Sequence, residues 1–280
     1  MKTWLITGCS TGFGKVLAEA VAVRGDRLVA TARDPAALAE LASRFPDTVC
    51  AAKLDVTQPG DVAAAVEIAR TTFGGLDVLV NNAGFGFVGA VEEGTPDEYR
   101  PMFETNVFGL IETTRAALPA LRERAAQSGA GRTVNFSSGA GIAGGAGSGL
   151  YCATKFAVEG VSEALAQEVA PLGLRVVIVE PGPFRTDFLG RSIATAANEI
   201  AAYRETAGKR RHYRETNDGQ QAGDPDKGVA VILKAVEAAD PPLHLPLGKL
   251  VHETIDRKYE AFRKDMGAWK ADALATDFNA

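Results

Sequence analysis

The stretch "TWLITGCSTGFG", residues 3 to 14, joins an apolar run to a glycine-rich turn. The run predicts a buried β-strand, and the amphipathic pattern after Gly14 predicts a helix. Between them, Gly8, Gly12 and Gly14 allow a tight bend, a close backbone approach to a pyrophosphate, and close packing of helix on strand. Free N–H groups at the start of a helix suit a phosphate anion. The stretch therefore predicts a dinucleotide site, with a purely structural turn as the alternative.

The same alternation of apolar run and amphipathic stretch continues along the chain. Continuous apolar strands separated by helices are typical of a parallel sheet that is covered on both faces. We therefore predict an α/β fold with a doubly wound parallel β-sheet of about seven strands (a Rossmann fold), formed by residues 1–280 as a single domain. The strands are predicted at residues 3–7, 27–31, 48–54, 76–80, 132–136, 174–179 and 243–246.

Three segments depart from this alternation. Residues 137–149 are so rich in glycine that we expect a loop. Residues 184–223 form a long segment between the sixth strand and the next helix. Residues 250–280 form a charged tail whose apolar residues have helical spacing, so we expect a helical C-terminal extension there.

The basic run "GKRRHYR", residues 208–214, is interpreted as a solvated helix or loop face rather than a binding patch.

Composition excludes several classes of partner. The formal net charge of −5 and the pI near 5.4 argue against a surface for nucleic acid or anionic membrane. No apolar run approaches the ~20 residues that span a bilayer. The cysteines and histidines lack the spacing of a disulfide framework or a metal site, so we expect no metal. We expect a cytoplasmic protein.

The glycine turn also contains "GCSTG", which matches the G-x-S-x-G pattern of a hydrolase nucleophile. That chemistry needs an Asp and a His later in the chain and a serine on a central strand. Ser10 follows the first strand, and the histidines are few and late, so we reject the hydrolase interpretation. Ser10 is either a turn residue or a hydrogen-bond donor to a phosphate.

The end of the second strand, "ATARD", bears on the choice of dinucleotide. An acidic side chain about twenty residues after the glycine turn would bind the adenosine ribose and repel a 2′-phosphate. Ala32 and Arg33 instead offer space and a planar cation suited to phosphate. We therefore favour NADP over NAD. The alternative is a surface arginine beside Asp34, which would cap the next helix.

Tyr151 and Lys155 lie four positions apart in a predicted helix and therefore share one face. Free tyrosine has a pKa of ~10 and is a poor base at neutral pH. A cation ~4 Å away, at an effective dielectric of ~20, favours the phenolate by ~4 kcal/mol, whereas desolvation opposes it. An oxidised nicotinamide ring would add a second positive charge, and the balance is expected to bring the phenol near neutrality, where general acid–base catalysis is most effective.

Other polar residues are predicted to meet this pair. Ser138 follows the fifth strand, "NNAG" at 81–84 ends the fourth, and "EPGPFRT" at 180–186 follows the sixth, while Asn106 lies within a helix. Groups at the carboxyl ends of parallel strands converge on one ligand crevice.

Taken in order, these motifs resemble those of the single-domain short-chain dehydrogenases/reductases over roughly residues 1 to 245. The matching motifs are T-G-x3-G-x-G, N-N-A-G, Asn106, Ser138, Tyr-x3-Lys and P-G…T. The "ATARD" segment and the tail from "LPLG" to "WKADALATDF" are also similar to the branch of the 17β-hydroxysteroid dehydrogenases. One departure is that no basic residue precedes Gly12, so the preference for NADP(H) depends on Arg33 alone.

The resemblance implies a role for each matching residue. Tyr151 exchanges a proton with the substrate oxygen, Lys155 lowers the pKa of that tyrosine and binds the nicotinamide ribose, Ser138 orients the substrate oxygen, and Asn106 holds a water. The implied cofactor contacts are Gly8, Ser10, Thr11, Gly12, Phe13, Gly14, Arg33, Asp55, Val56, Asn82, Ala83, Gly84, Tyr151, Lys155, Pro181, Gly182 and Thr186.

The expected reaction is NADP(H)-dependent interconversion of a hydrophobic ketone and a secondary alcohol. The resemblance implies that residues 184–223 cover the substrate and that helices near Asn106 and Tyr151 form a homodimer or homotetramer. Alternatives are a dehydrogenase that prefers NAD and a non-catalytic, cofactor-sensing binding protein. Candidate apolar wall residues are Phe85, Phe87, Leu150, Phe184, Phe188 and Ile193.

Overall fold

The computed structural model describes residues 1–129 and 131–278, so the last two residues of the predicted extension lie outside it. A seven-stranded parallel sheet runs through the molecule in the order β3-β2-β1-β4-β6-β7-β9, with helices on both faces. This confirms the predicted doubly wound α/β fold. The strands are β1 Thr3–Ile6, β2 Arg27–Ala32, β3 Val49–Lys53, β4 Val78–Asn81, β5 Gly86–Val88, β6 Gly131–Phe136, β7 Leu174–Pro181, β8 Ile193–Thr195 and β9 His244–Leu247.

Helices follow the strands and cover the sheet. Each of the seven predicted strands matches a strand of the main sheet, whereas β5 and β8, which pair with each other in a small parallel sheet, were not predicted. The predicted loop at 137–149 is partly wrong, because it contains a short helix. The helices are α1 Gly12–Val23, α2 Ala39–Arg44, α3 Pro59–Phe73, α4 Pro96–Phe103, α5 Leu110–Ser128, α6 Gly139–Ile142, α7 Gly149–Val169, α8 Lys209–Asn217, α9 Pro225–Glu237 and α10 Lys249–Leu274.

The sheet separates two hydrophobic cores, and successive strand residues alternate between them. In β1, Trp4 and Ile6 belong to the core beneath α1 and α9, while Leu5 belongs to the core beneath α3 and α5. All three side chains are fully buried. Because both faces are covered, the strands are apolar throughout, and the carboxyl ends of β1, β4, β6 and β7 open together on one edge.

The glycine turn between β1 and α1 is held by tight backbone packing. Gly8 and Gly12 have positive φ angles of 73° and 57°, which favour glycine. A Cβ on Gly14 would overlap the carbonyl oxygen of Gly8 and the side-chain amide of Asn82. That amide, at the end of β4, donates to the carbonyls of Thr7 at 2.9 Å and Gly8 at 3.0 Å. The turn is therefore fixed against the neighbouring strand.

Two buried carboxyl groups and a histidine join α7, β7 and β9. Glu159 is 6% exposed and Glu180 is 1% exposed. Nδ1 of His244 lies 2.7 Å from Oε1 of Glu180 and 3.7 Å from Oε2 of Glu159. Burial raises the pKa of Glu159 to about 7; the charge of Glu180 reinforces that change, and the charge of His244 opposes it. Burial also raises the pKa of Glu180. This cluster lies one helical turn beyond Lys155 on α7.

We predict that Gly14→Ala lowers the free energy of unfolding by about 1–3 kcal/mol, because the added methyl group overpacks the turn. The matched control is Gly60→Ala at the start of α3, where a Cβ would meet no atom within 4 Å. That change should be neutral or stabilise by up to about 1 kcal/mol. Urea denaturation measures both variants, and equal stabilities would contradict this account of the turn.

The Glu159 cluster predicts a specific pH dependence. The folded-state pKa of about 7 lies above the ordinary value of 4.5, so the folded chain binds this proton more tightly than the unfolded chain does. Stability contributed by the protonated group is therefore lost as the pH rises from about 4.5 to 7. We expect Glu159→Gln to reduce that loss by roughly 2–3 kcal/mol in denaturation curves measured from pH 5 to pH 8.

The control is Glu168→Gln, an exposed residue further along the same helix. It should leave the pH dependence of stability nearly unchanged. The same loss of stability in Glu159→Gln and in the unmodified chain would refute the prediction. A second result would also refute it: added Zn²⁺ stabilises the unmodified chain but not Glu159→Gln. The ligand atoms of the cluster lie within 4.8 Å of one another, and that result would show that they form a cation site.

Candidate active site

A large cavity opens at the carboxyl ends of the central strands. Its volume is about 1350 Å³, and its lining includes the glycine turn, the ends of β4, β6 and β7, and parts of residues 184–223. Pockets for small ligands commonly have volumes of roughly 300–1,000 Å³. This cavity is therefore large enough for an extended ligand and a second, smaller molecule.

The cavity brings together nearly all of the predicted site residues, although they are spread over almost 180 positions of the sequence. Gly14 and Asn106 do not line it. The predicted residues that do are Gly8, Ser10, Thr11, Gly12, Phe13, Arg33, Asp55, Val56, Asn82, Ala83, Gly84, Ser138, Tyr151, Lys155, Pro181, Gly182 and Thr186.

Asn106 lies in a π-helical turn, Glu104–Gly109, between α4 and α5. Its Oδ1 accepts a hydrogen bond from the backbone N–H of Phe85 at 3.0 Å. Its Nδ2 donates to the carbonyl of Phe85 at 2.8 Å and to Oγ1 of Thr154 at 3.2 Å. Both amide hydrogens are thus used to tie the segment after β4 to α7. The implied role of Asn106 in holding a water stays a prediction.

Tyr151 and Lys155 share one face of α7, as the sequence predicts, with Nζ of Lys155 5.9 Å from the centroid of the tyrosine ring. Burial raises the pKa of Tyr151 to about 12; a hydrogen bond with Ser138 and the charge of Arg210 act in the opposite direction. This value applies to the chain without its ligands, whereas the expected pKa near neutrality includes the charge of an oxidised nicotinamide ring, so that expectation stays a prediction. Loss of hydration outweighs the nearby positive charges, so Tyr151 is protonated.

Lys155 is 6% exposed, and its Nζ donates to the carbonyl of Phe136 at 2.8 Å. Burial lowers the pKa of Lys155 to about 8, while the charge of Glu159 opposes that change. An ammonium group has three N–H donors, and this carbonyl accepts one of them. Close by, Gly84 has no side chain, and a Cβ there would lie 3.8 Å from Nζ. A ligand that carries hydroxyl groups would satisfy the remaining donors, which fits the ribose of a nicotinamide dinucleotide.

Arg33 lines the cavity at the end of β2 and is exposed. The carboxylate of Asp34 accepts a hydrogen bond from the backbone N–H of Ala36 at 3.0 Å, so it caps the following turn. Within the described residues no ion pair engages Arg33. Its guanidinium is therefore available to an anionic group in the cavity.

Four of the six predicted apolar wall residues line the cavity: Phe85, Phe184, Phe188 and Ile193. The prediction is wrong for the other two. Phe87 is 1% exposed and packs in a core cluster with Met102, and Leu150 packs against the same cluster. Phe87 lies two residues after Phe85, and Leu150 directly precedes Tyr151, so position in the sequence could not separate wall from core.

The basic run at 208–214 is not a solvated face, contrary to the interpretation of the sequence. Arg211 is buried and pairs with Glu93, which lies 118 positions away in the sequence. Arg210 lines the cavity, where its Nε donates to Oγ of Ser148 at 3.1 Å and its guanidinium lies 5.2 Å from the centroid of the Tyr213 ring. Sequence reasoning missed both arginines, because only the folded chain shows their partners.

Comparison with known proteins agrees with this geometry. The profile of the short chain dehydrogenase family matches residues 2–197. "Oxidoreductase BOA17" of Botryotinia fuckeliana is 34% identical over 276 residues, which cover 98% of this chain and 99% of that protein. The "3-ketodihydrosphingosine reductase" of Bacteroides thetaiotaomicron is 36% identical and covers 88% of each chain.

Solved structures show the same similarity. A short-chain dehydrogenase from Streptomyces avermitilis is 42% identical, with a TM-score of 0.91 over 99% of both chains. A short-chain dehydrogenase from Sphingobium yanoikuyae, solved with NADPH, is 29% identical, with a TM-score of 0.70 over 100% of this chain and 97% of that one. Among the residues described, no helix is both long and apolar enough to cross a bilayer. The cavity, its residues and these similarities together identify the chain as a member of the short-chain dehydrogenase/reductase family, an oxidoreductase family that uses NAD(P).

Proposed function

We propose that this protein is an NADP(H)-dependent oxidoreductase that interconverts a hydrophobic ketone and a secondary alcohol. The observation that carries the proposal is the protonated, buried phenol of Tyr151 beside Ser138 and Lys155 in a cavity large enough for a dinucleotide. A bound nicotinamide supplies or accepts the hydride. The residues of the chain supply orientation and proton transfer.

In the reductive direction, Tyr151 donates its proton to the oxygen that gains negative charge. Ser138, which hydrogen-bonds the phenol, stabilises the same oxygen. Lys155 places a positive charge within 5.9 Å of the ring, which stabilises the phenolate left after proton transfer. In the oxidative direction Tyr151 must first lose its proton, and the positive charge of an oxidised cofactor would assist that step.

The apolar lining supports a hydrophobic substrate. The ring of Phe188 lies 5.8 Å from that of Tyr151, and Phe85 and Ile193 contribute to the same cavity. Arg210 adds one cation close to this apolar surface. A ketone with a bulky apolar body and a polar group near the carbonyl matches this lining better than a small polar ketone does.

Exposed apolar side chains also support the proposed assembly into a homodimer or homotetramer. Phe108 in the π-helical turn and Phe156 on α7 are 52% and 42% exposed, and they belong to the elements that carry Asn106 and Tyr151. Large exposed aromatic residues are typical of surfaces that bind another protein.

The alternative function is a binding protein that senses the cofactor without turnover. It would need the glycine turn and Arg33 but not the arrangement of Ser138, Tyr151 and Lys155 in one cavity. Fluorescence titration of NADPH binding, measured beside NADPH oxidation against bulky and small ketones, separates the two functions. Binding without oxidation of any ketone in the panel would favour the sensor.

We predict that Tyr151→Phe lowers kcat by roughly 10²–10⁴-fold, because general acid–base catalysis typically contributes that much. NADPH should still bind with a similar Kd, since the phenol hydroxyl is a proton donor rather than the main cofactor contact. The control is Tyr203→Phe, whose hydroxyl bonds Glu92 outside the cavity lining. Turnover by Tyr151→Phe at the rate of the control would remove the proposed mechanism.

We predict that Arg33→Ala raises the KM for NADPH by about 10–100-fold, the size expected when a hydrogen bond to a charged group is lost. The KM for NADH should change little, because NADH lacks the 2′-phosphate. Arg70→Ala, an exposed arginine on α3, serves as the control. If the unmodified protein prefers NADH, or if Arg33→Ala affects both cofactors equally, the assignment of Arg33 is wrong.

A further inference from the structure

The last helix, α10, leaves most of its surface uncovered. Its first turn packs on the body of the protein: Val251 is buried, and a Cβ on Gly139 or Gly182 would meet it at 3.0 Å and 3.8 Å. Beyond Ile255, every residue of α10 is exposed. The uncovered part of the helix is about 30 Å long at 1.5 Å per residue. The exposed fractions are 51% for Tyr259, 54% for Phe262, 57% for Met266 and 69% for Trp269.

These apolar residues have the spacing of a helix that packs against another helix. The steps from Ile255 to Tyr259, Phe262, Met266 and Trp269 alternate between four and three positions. This alternation is the a/d pattern of a coiled-coil seam, in which the apolar positions of two helices interdigitate. We call this row of five residues the α10 stripe. A helix that packs only on its own domain would bury such a stripe, whereas here it faces away from the body.

The charges on either side of the stripe favour a particular orientation of the second helix. One edge carries Asp256 near its beginning and Arg263 and Lys270 further along; the other carries Lys258 first, then Asp265 and Asp272. Each edge therefore reverses its sign along the helix. In an antiparallel pair that matches the whole stripe, each edge faces the same edge of the other helix with its ends exchanged, so Asp256 meets Lys270 and Lys258 meets Asp272. These opposite-charge pairs, four in all, outnumber the two like-charge contacts that Arg263 and Asp265 make with their own counterparts.

A parallel pair would be less favourable. There, Lys258 would face Arg263 of the second helix, and the repulsion between them would offset the attraction between Asp265 and Lys270. Within the described chain no ion pair uses any of these six charged side chains. They are therefore free to pair with another molecule.

From this pattern we propose that α10 binds α10 of a second copy of this chain in an antiparallel contact. This contact is separate from the surface near Phe108 and Phe156. Because the first turn of α10 lines the active-site cavity through Leu250, Val251 and Thr254, the contact fixes the wall of the cavity next to Gly182. The helix carries six basic and five acidic residues, so its charge gives no preference for an anionic membrane.

The test compares the full chain with Phe262→Asp/Trp269→Asp by sedimentation velocity over a range of concentrations. We expect the mass of the particle to fall by a factor of two in the double variant, since two charges in an apolar seam oppose association. The control Phe108→Asp addresses the other surface and should leave the α10 contact intact. Circular dichroism and Tm confirm that each variant is folded; the helix positions are exposed, so little change is expected.

The orientation has its own test. In the antiparallel contact, Lys258→Glu faces an acidic residue and should weaken self-association by at least about threefold in Kd. Adding Asp272→Lys to that variant should restore the original Kd, because residue 258 faces residue 272 of the other helix. Strengthened association in Lys258→Glu alone would indicate a parallel pair and overturn the proposed orientation.

Two results would overturn the proposal as a whole. One is equal particle mass for the full chain and the Phe262→Asp/Trp269→Asp variant. The other is a monomer whose α10 stripe binds vesicles of phosphatidylcholine and phosphatidylglycerol and loses that binding in the double variant. Neither result bears on catalysis, since ketone reduction by Tyr151 is measured separately.

Discussion

The site depends on one constraint: the side chains of Tyr151 and Lys155 are buried and therefore lose their hydration. Burial acts on the two groups in opposite senses: it raises the pKa of the phenol to about 12 and lowers that of the ammonium to about 8. Each side chain is thereby held closer to its neutral form than it would be in water. The free protein presents an acid that keeps its proton and a lysine with hydrogen-bond donors to spare. A ligand that supplies hydroxyl groups would satisfy the remaining lysine donors, and its positive charge would lower the pKa of the phenol.

The fold provides this environment through a few rigid contacts. The side-chain amide of Asn82 fixes the glycine turn to β4, and the amide of Asn106 fixes the segment after β4 to α7. Helix α7 then carries Tyr151 and Lys155 on one face, with Glu159 one turn further on. The buried carboxyl groups of Glu159 and Glu180 beside His244 extend the polar interior from α7 to β9. Substitutions of Glu159 should therefore change the pKa of Lys155, because the charge of Glu159 raises it.

Local patterns in the sequence were sufficient to predict the sheet and most of the cavity lining. Buried strands leave continuous apolar runs, and turns that need positive φ leave glycines, so both signals can be detected without coordinates. The pKa of Tyr151 could not be predicted, because it depends on how completely the phenol is desolvated. The pairing of Arg211 with Glu93 and the placement of Arg210 in the cavity depend on the path of residues 184–223, which carry no periodic pattern. Phe87 lies in β5, a short strand that was not predicted, and packs in a core cluster, whereas Phe85 precedes that strand and lines the cavity.

The most direct test of this account is an ultraviolet difference titration of tyrosine ionisation in the unmodified protein and in Tyr151→Phe. Without cofactor, the two curves should coincide up to at least pH 10, because burial keeps the Tyr151 phenol protonated there. With saturating NADP⁺, an additional ionisation should appear at lower pH in the unmodified protein and not in the variant. An ionisation of Tyr151 near neutral pH in the free protein, or one that NADP⁺ does not shift, would contradict the account.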